Sequence, residues 1–194
     1  MKSLKDYIVS KDKISAMRRR VKDHISRVQH FYELMCITGL IPDNARNDSE
    51  VKKHDSDKFE PENLRRQALR FIADRTPEMD DEITAVVREH IRNNPHHFEY
   101  WGGPKCDQFS TNIDCSSMPD KYLYEMLADW ASTAEEKGNT VGYFYDKHAG
   151  KKFKFSERQD KIIRECAEYL DKNIQPSMKR KYSEVYVDPS KIEH

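Results

Sequence analysis

The 194-residue chain contains no apolar run approaching the roughly 18 residues that a membrane-spanning helix needs. Its opening stretch, MKSLKDYIVSKDK, lacks the apolar core of a secretory signal, and a cytoplasmic protein is expected. There is no excess of charge of either sign. Lys plus Arg and Asp plus Glu both number 34, so no overall field steers the chain toward nucleic acid or an anionic membrane. The one dense basic stretch, MRRRVK at 17–22, spreads its charges around a helix and reads as a solvated face. The four cysteines, Cys36, Cys106, Cys115 and Cys166, form no CxxC pair, and reduced thiols are expected rather than disulfides. Cys106 and Cys115 flank a loop close to His96 and His97, but their spacing fits no standard zinc finger. Strand-like alternation, internal repeats and low-complexity blocks are also missing.

What remains is helical periodicity. Ile14, Met17, Val21, Ile25, Val28, Tyr32 and Met35 recur at steps of three and four, predicting a helix over 11–38 that Gly39 ends. A short helical segment containing SEVKKHD follows. Pro61 and Pro77 each stand at a first-turn position, the second behind Thr76 as cap and ahead of the acidic EMDDE. Met118-Pro119 opens a helix running to about Lys137, and Ser156 caps a last one carrying Ile162, Cys166, Leu170 and Ile174. Between the central helices, NNPHHFEYWGGPKCDQFSTNIDCSS reads as a long loop, of a length uncommon in compact domains unless it has a job. The expectation is one all-α domain over 1–174, a helical bundle with one elaborate loop, followed by a polar tail at 175–194.

Several titratable residues stand out against this scaffold. His30 lies off the main stripe, yet HFYELMCI around it is apolar on nearly every side, which predicts an imidazole directed inward and needing a partner. His90 shares the face of Ile83, Val86, Val87 and Ile91. Glu125 and Asp129, four residues apart, can point their carboxylates into one space. The charged stretch VKKHDSDKFEP sets His54 and Asp55 side by side, where a helix would turn them about 100° apart, so that they straddle a bound ion.

A histidine late in one helix, a His-Asp pair on a second and an aspartate two or more helices later resemble the signature of the HD-domain superfamily of metal-dependent phosphohydrolases. The matching positions are His30, His54, Asp55 and Asp129. Lys58, three residues after Asp55, resembles the HDxxK form in which the lysine approaches a phosphate. Longer stretches, HDSDKF, NNPHHFEYW and MPDKYLYEMLADW, are similar to a small HD-like family of phage and bacterial proteins of undetermined activity, over roughly His24 to Leu170.

The resemblance implies an HD-like bundle holding a divalent transition metal (Mn, Fe, Co or Zn) and hydrolysing a nucleotide or related small phosphate ester. No nucleic acid or membrane is implied as partner. It leaves room for a second metal, held by His90 with His96 or His97, although the seven-residue step from His90 to His97 is short for that role. Lys58 would neutralise phosphate charge, Glu125 or Asp57 would position the attacking water, and His96 or His97 would protonate a leaving oxygen. Tyr100 and Trp101 would stack on a base with Glu99 on its edge or sugar, or else would pin the loop to the core. The alternatives are a di-iron oxygenase of the same superfamily and a non-catalytic, metal-stabilised binding protein of phage or bacterial origin. Substrate and oligomeric state stay open.

Overall fold

A computed structural model describes residues 9–175; apart from Gln175, the expected polar tail lies outside the described residues. Helix α1 spans Lys11–Ile37, with the Ser10 hydroxyl accepting from the Lys13 amide at its start. At its end the chain reverses through Gly39, whose φ of 74° suits a residue without Cβ. A short α2, Asp48–Val51, leads through a tight turn and a 3-10 segment, Ser56–Phe59, into α3, Pro61–Ala68. Helix α4, Pro77–Asn93, follows, with Thr76 at its N-cap position but making no side-chain cap hydrogen bond. The remaining helices are α5, Asp120–Lys137, α6, Val141–His148, and α7, Glu157–Asn173, the last begun by a reciprocal capping box between Ser156 and Gln159. The fold is all-α, as the periodicity predicts.

Two features escape that periodicity. Helix α6, VGYFYDKH, is short, aromatic and contains Gly142, all of which lower helix propensity. It is secured from outside itself, because the Asp171 carboxylate accepts from the Val141 and Gly142 amides at 2.6 and 3.1 Å. The long loop is also more ordered than its composition suggests. It holds a 3-10 segment, Phe98–Gly102, and a strand β1, Ile113–Asp114, paired in parallel with β2, Phe153–Lys154. Gln159, fully buried, donates to the Cys115 and Met118 carbonyls and ties the loop to α7.

The core is in two parts, and α1 crosses both. Met17 and Val21 pack with Leu64, Ala68 and Leu69 from α3 and its extension. Val28, Phe31 and Met35 pack with α5, α7 and the loop. Residue 24 stands where one core gives way to the other, and it is a histidine.

Candidate metal centre

The centre begins at the turn after α2. His54 and Asp55 are not on a helix: Asp55 has φ 56° and ψ 18°, the left-handed region that aspartate tolerates better than most residues. Backbone hydrogen bonds from His54 to Val51 and from Ser56 to Lys53 hold the turn. This conformation, not a straddling of helix faces, lets both side chains enter the interior, where His54 and Asp55 are 2% and 1% exposed. Left-handed backbone at a residue with a β-carbon costs on the order of 1 kcal/mol, and such strain gathers at functional sites.

Asp55 is the hub. Its Oδ2 lies 3.3 Å from His24 Nε2 and 3.5 Å from His54 Nε2, and its Oδ1 lies 3.0 Å from His90 Nε2 and 3.6 Å from His96 Nε2. Asp129 Oδ1, from α5, stands 3.1 Å from His24 Nε2 and 4.0 Å from His54 Nε2. His97 Nε2 approaches His90 Nε2 at 2.9 Å. Three metal-sized groups result: two are joined through the two oxygens of Asp55, with His24, His54 and Asp129 on one side and His90, His96 and His97 on the other, and the third is His54, His96 and Glu125. Ligand atoms held about 2.0–2.2 Å from one cation lie roughly 3–4 Å from each other, the range seen here.

The far nitrogens of four of these rings are held as metal-binding imidazoles are held. His54 Nδ1 and His96 Nδ1 meet Glu125 Oε1 at 2.9 and 3.3 Å, His90 Nδ1 meets Asp57 Oδ2 at 2.7 Å, and His24 Nδ1 meets the Ser132 hydroxyl at 3.0 Å. An imidazole that donates Nδ1–H outward presents a bare Nε2 lone pair inward. Two inward nitrogens, His54 Nε2 and His96 Nε2, are buried without a hydrogen-bond partner. Buried polar atoms are rarely left so, and a cation is the partner that nitrogen and carboxylate lone pairs share. The residues therefore fit a divalent metal.

Charge points the same way. Burial alone would raise Asp55, but His54, Lys58, His90 and His24 outweigh it and hold the carboxyl well below its usual range. Asp129 is likewise held down against burial, by its hydrogen bond from His24 and by the nearby His54. Glu125 falls to about 2, the hydrogen bonds from His54 and His96 exceeding the effect of burial. Burial presses His54 and His97 toward the neutral form. Burial also lowers His24 and His90, but the carboxylates of Asp129 and Asp55 on the first, and of Asp55 and Asp57 on the second, outweigh it and raise both.

The structure redistributes several of the expected roles. His30 is exposed and rests against Phe31, away from the centre; six residues along a helix turn a side chain about 240°, so it cannot share the direction of His24. His24 supplies the α1 imidazole instead. Its signal lay in the spacing: Met17, Val21, Val28, Phe31 and Met35 form a buried stripe at alternating steps of four and three only if residue 24 belongs to it. Glu125 spends both oxygens on His54, His96 and Asn47, so it orients ligands rather than an attacking water. Asp57 holds His90 Nδ1 through Oδ2, and its Oδ1 is buried without a hydrogen-bond partner.

His96 is 3% exposed and belongs to two of the groups that could hold a metal. Glu99 is buried behind it, its carboxyl raised by burial to about 7. Tyr100 and Trp101 belong to the loop, where Trp101 donates to the Pro95 carbonyl and packs on Tyr122; neither lines the cavity over the centre. His54, Asp55, His90, His97, Asp129 and Lys58 are brought together as the sequence suggests.

That cavity, about 180 Å³, gives access from solvent. His24, His97 and Asp129 form its floor, and Lys58, Arg20 and Arg70 are on its walls. Lys58 Nζ is bonded to Asp55 Oδ2. Among the described residues no helix is long and apolar enough to cross a membrane. No curated protein and no solved structure matches the chain. A family model matches residues 13–176, from the first turn of α1 to beyond the end of α7, and the chain belongs to that family, DUF5662, a family of unknown function.

Proposed function

We propose that the protein is a metal-dependent phosphohydrolase of HD type, acting on a nucleotide or related small phosphate ester with one or two Mn, Fe, Co or Zn ions. The observation that carries this reading is the convergence of four imidazoles on the two oxygens of Asp55, with His97 against His90, beside a cavity that Lys58 lines. His24, His54, Asp55 and Asp129 would hold one ion, and Asp55, His90, His96 and His97 a second. A divalent ion bound there would polarise a phosphoryl oxygen and lower the pKa of water.

The chain's own residues do the rest. Lys58 can release Asp55 to an ion and turn its ammonium to a phosphate oxygen in the cavity. Arg70 lines the same space, and Arg20 lines it paired with Glu136 at 2.6 Å. Glu125, Asp57 and Ser132 hold the imidazoles in the tautomer that faces inward. His97, pressed toward neutrality by burial and by His96 and His90, is unsuited to act as a charged acid.

The test is elemental analysis of protein purified without chelator or affinity metal, beside Asp55→Asn, with a phosphate-release screen on the metal-loaded protein. Asparagine tolerates the left-handed turn, so this variant removes charge without adding backbone strain. Near-stoichiometric metal and phosphate release in the wild type, both lost in Asp55→Asn, are expected. Release that survives in Asp55→Asn, or none from any ester with any of the four metals, overturns the reading. Oxygen uptake by the iron-loaded protein would turn it to oxygen activation, which a mixed imidazole and carboxylate set also supports.

A further inference from the structure

A second cavity, about 370 Å³, lies against the same stretch of α5. Asp129 and Thr133, one turn apart, line both cavities, so a ligand with one end over the metal centre reaches the second space across a single helical turn. The walls differ in character from those around Lys58. Trp130, Tyr143 and Phe144 present aromatic rings, and Asn139 and Thr140 stand at the rim with an amide and a hydroxyl. Helix α6 supplies most of this. Thr140, Tyr143, Phe144 and Lys147 recur toward the cavity at steps of three and four, while Val141 and Tyr145 enter the core on the other side.

The rings are not equally occupied by the fold. Phe144 is held between Trp130 and His148, at centroid distances of 4.9 and 4.7 Å. Tyr143 is 56% exposed at the edge of the cavity, with Lys147 Nζ over its ring at 5.7 Å from the centroid. An open aromatic beside two fixed ones is a stacking surface, and a volume in the range of roughly 300–1,000 Å³ suits a small-molecule site with a few convergent polar groups.

We propose that this cavity binds the planar base of a nucleoside phosphate whose phosphate lies on the Lys58 side of Asp129. The phosphate end rests on the phosphohydrolase reading; the base end rests on the walls just described. A base is favoured over an acyl chain because stacking faces come together here with an amide and a hydroxyl for a hydrogen-bonding edge. Base selectivity for such a ligand would sit in α6, far along the chain from the HD pair.

The test uses the full-length protein in chelator, where nothing is turned over. Calorimetric titration compares the four common ribonucleoside 5′-monophosphates with ribose 5-phosphate, which keeps the sugar and phosphate but has no base. At least one monophosphate should bind about tenfold more tightly than ribose 5-phosphate, the factor that a single base–aromatic stack provides. Tyr143→Ala should bring that ratio close to one; its exposed side chain makes it a safe substitution for the fold, checked by circular dichroism. Equal affinities, a preference that survives in both Tyr143→Ala and Asn139→Ala, or no binding at millimolar ligand each overturn the proposal. The two readings fail separately. A base preference without phosphate release from the metal-loaded protein removes the hydrolase and leaves the base site, whereas equal release from ribose 5-phosphate and every nucleotide removes the base site.

Discussion

Replacing His24 by alanine tests the centre where structure and sequence differ most. In metal-free protein, His24→Ala removes an imidazole lying 3.3 Å from Asp55 Oδ2 and 3.1 Å from Asp129 Oδ1. Breaking a buried pair costs roughly 3–5 kcal/mol because a charge is left without its partner. Asp55 keeps Lys58, so the loss should fall near the lower end, about 3 kcal/mol. Metal adds a second, separable effect. Removing even a supporting residue of a metal ligand weakens affinity about 10–100-fold, and a hundredfold weaker site forfeits about 2.7 kcal/mol of stabilisation at a fixed, near-saturating metal concentration. His30→Ala, at an exposed position, should stay within about 0.5 kcal/mol of wild type in both conditions. The assay is urea unfolding in chelator and in a fixed excess of zinc, with metal content measured on each protein. If His24→Ala retains wild-type metal, or His30→Ala loses it, the assignment of the α1 ligand is wrong.

Two further outcomes follow from residues that touch the imidazoles. Ser132, fully buried, lies 3.0 Å from His24 Nδ1 and also accepts from Arg27 Nε at 3.3 Å; Ser132→Ala should weaken metal binding about 10–100-fold, read by competition with a chromophoric chelator, and an unchanged affinity would show that the hydroxyl does not orient the ring. Glu125 has its carboxyl lowered from 4.5 to about 2, against burial, by hydrogen bonds from His54 and His96. A depressed carboxyl contributes stability above its unfolded pKa and loses it as pH falls through the folded one. In chelator, the unfolding free energy of wild type should therefore exceed that of Glu125→Gln by on the order of 3 kcal/mol above pH 4.5, with the gap closing toward pH 2. A gap that widens on acidification would contradict the pairing.

The helices were legible because each carries its own punctuation. Gly39, Pro61, Pro77, Pro119 and Ser156 act within a turn of where they stand, so a single stretch of sequence contains both signal and response. Helix α6 was not legible for the opposite reason. Thr140 caps it locally by accepting from the Tyr143 amide, but its first two amides are satisfied by Asp171, 30 and 29 residues away, and its aromatic side chains find partners on α5 and β2. The parallel pairing of β1 with β2 likewise joins residues 40 positions apart, two residues long on each side. No local alternation can announce a strand of that length.

The site divides along the same line. His54-Asp55 is visible because the two residues are adjacent, and their left-handed turn changes how they enter the interior without changing that they do. His24 was hidden because an imidazole in an apolar stripe looks like an interruption of the stripe. The sequence draws attention to His30, which interrupts nothing. Yet the position where α1 passes from one core to the other is where a polar side chain disturbs packing least, since neither the Met17–Val21 contacts nor the Val28–Phe31 contacts depend on it. A buried ligand can be placed there while both cores remain continuous around it. The same reasoning applies to α5, where Asp129 and Ser132 face α1 while Leu123, Leu127 and Trp130 fill the larger core. A polar residue that falls on the buried step of a helix, at the seam between two apolar clusters, is thus a stronger pointer to a metal centre than one that falls on the opposite face.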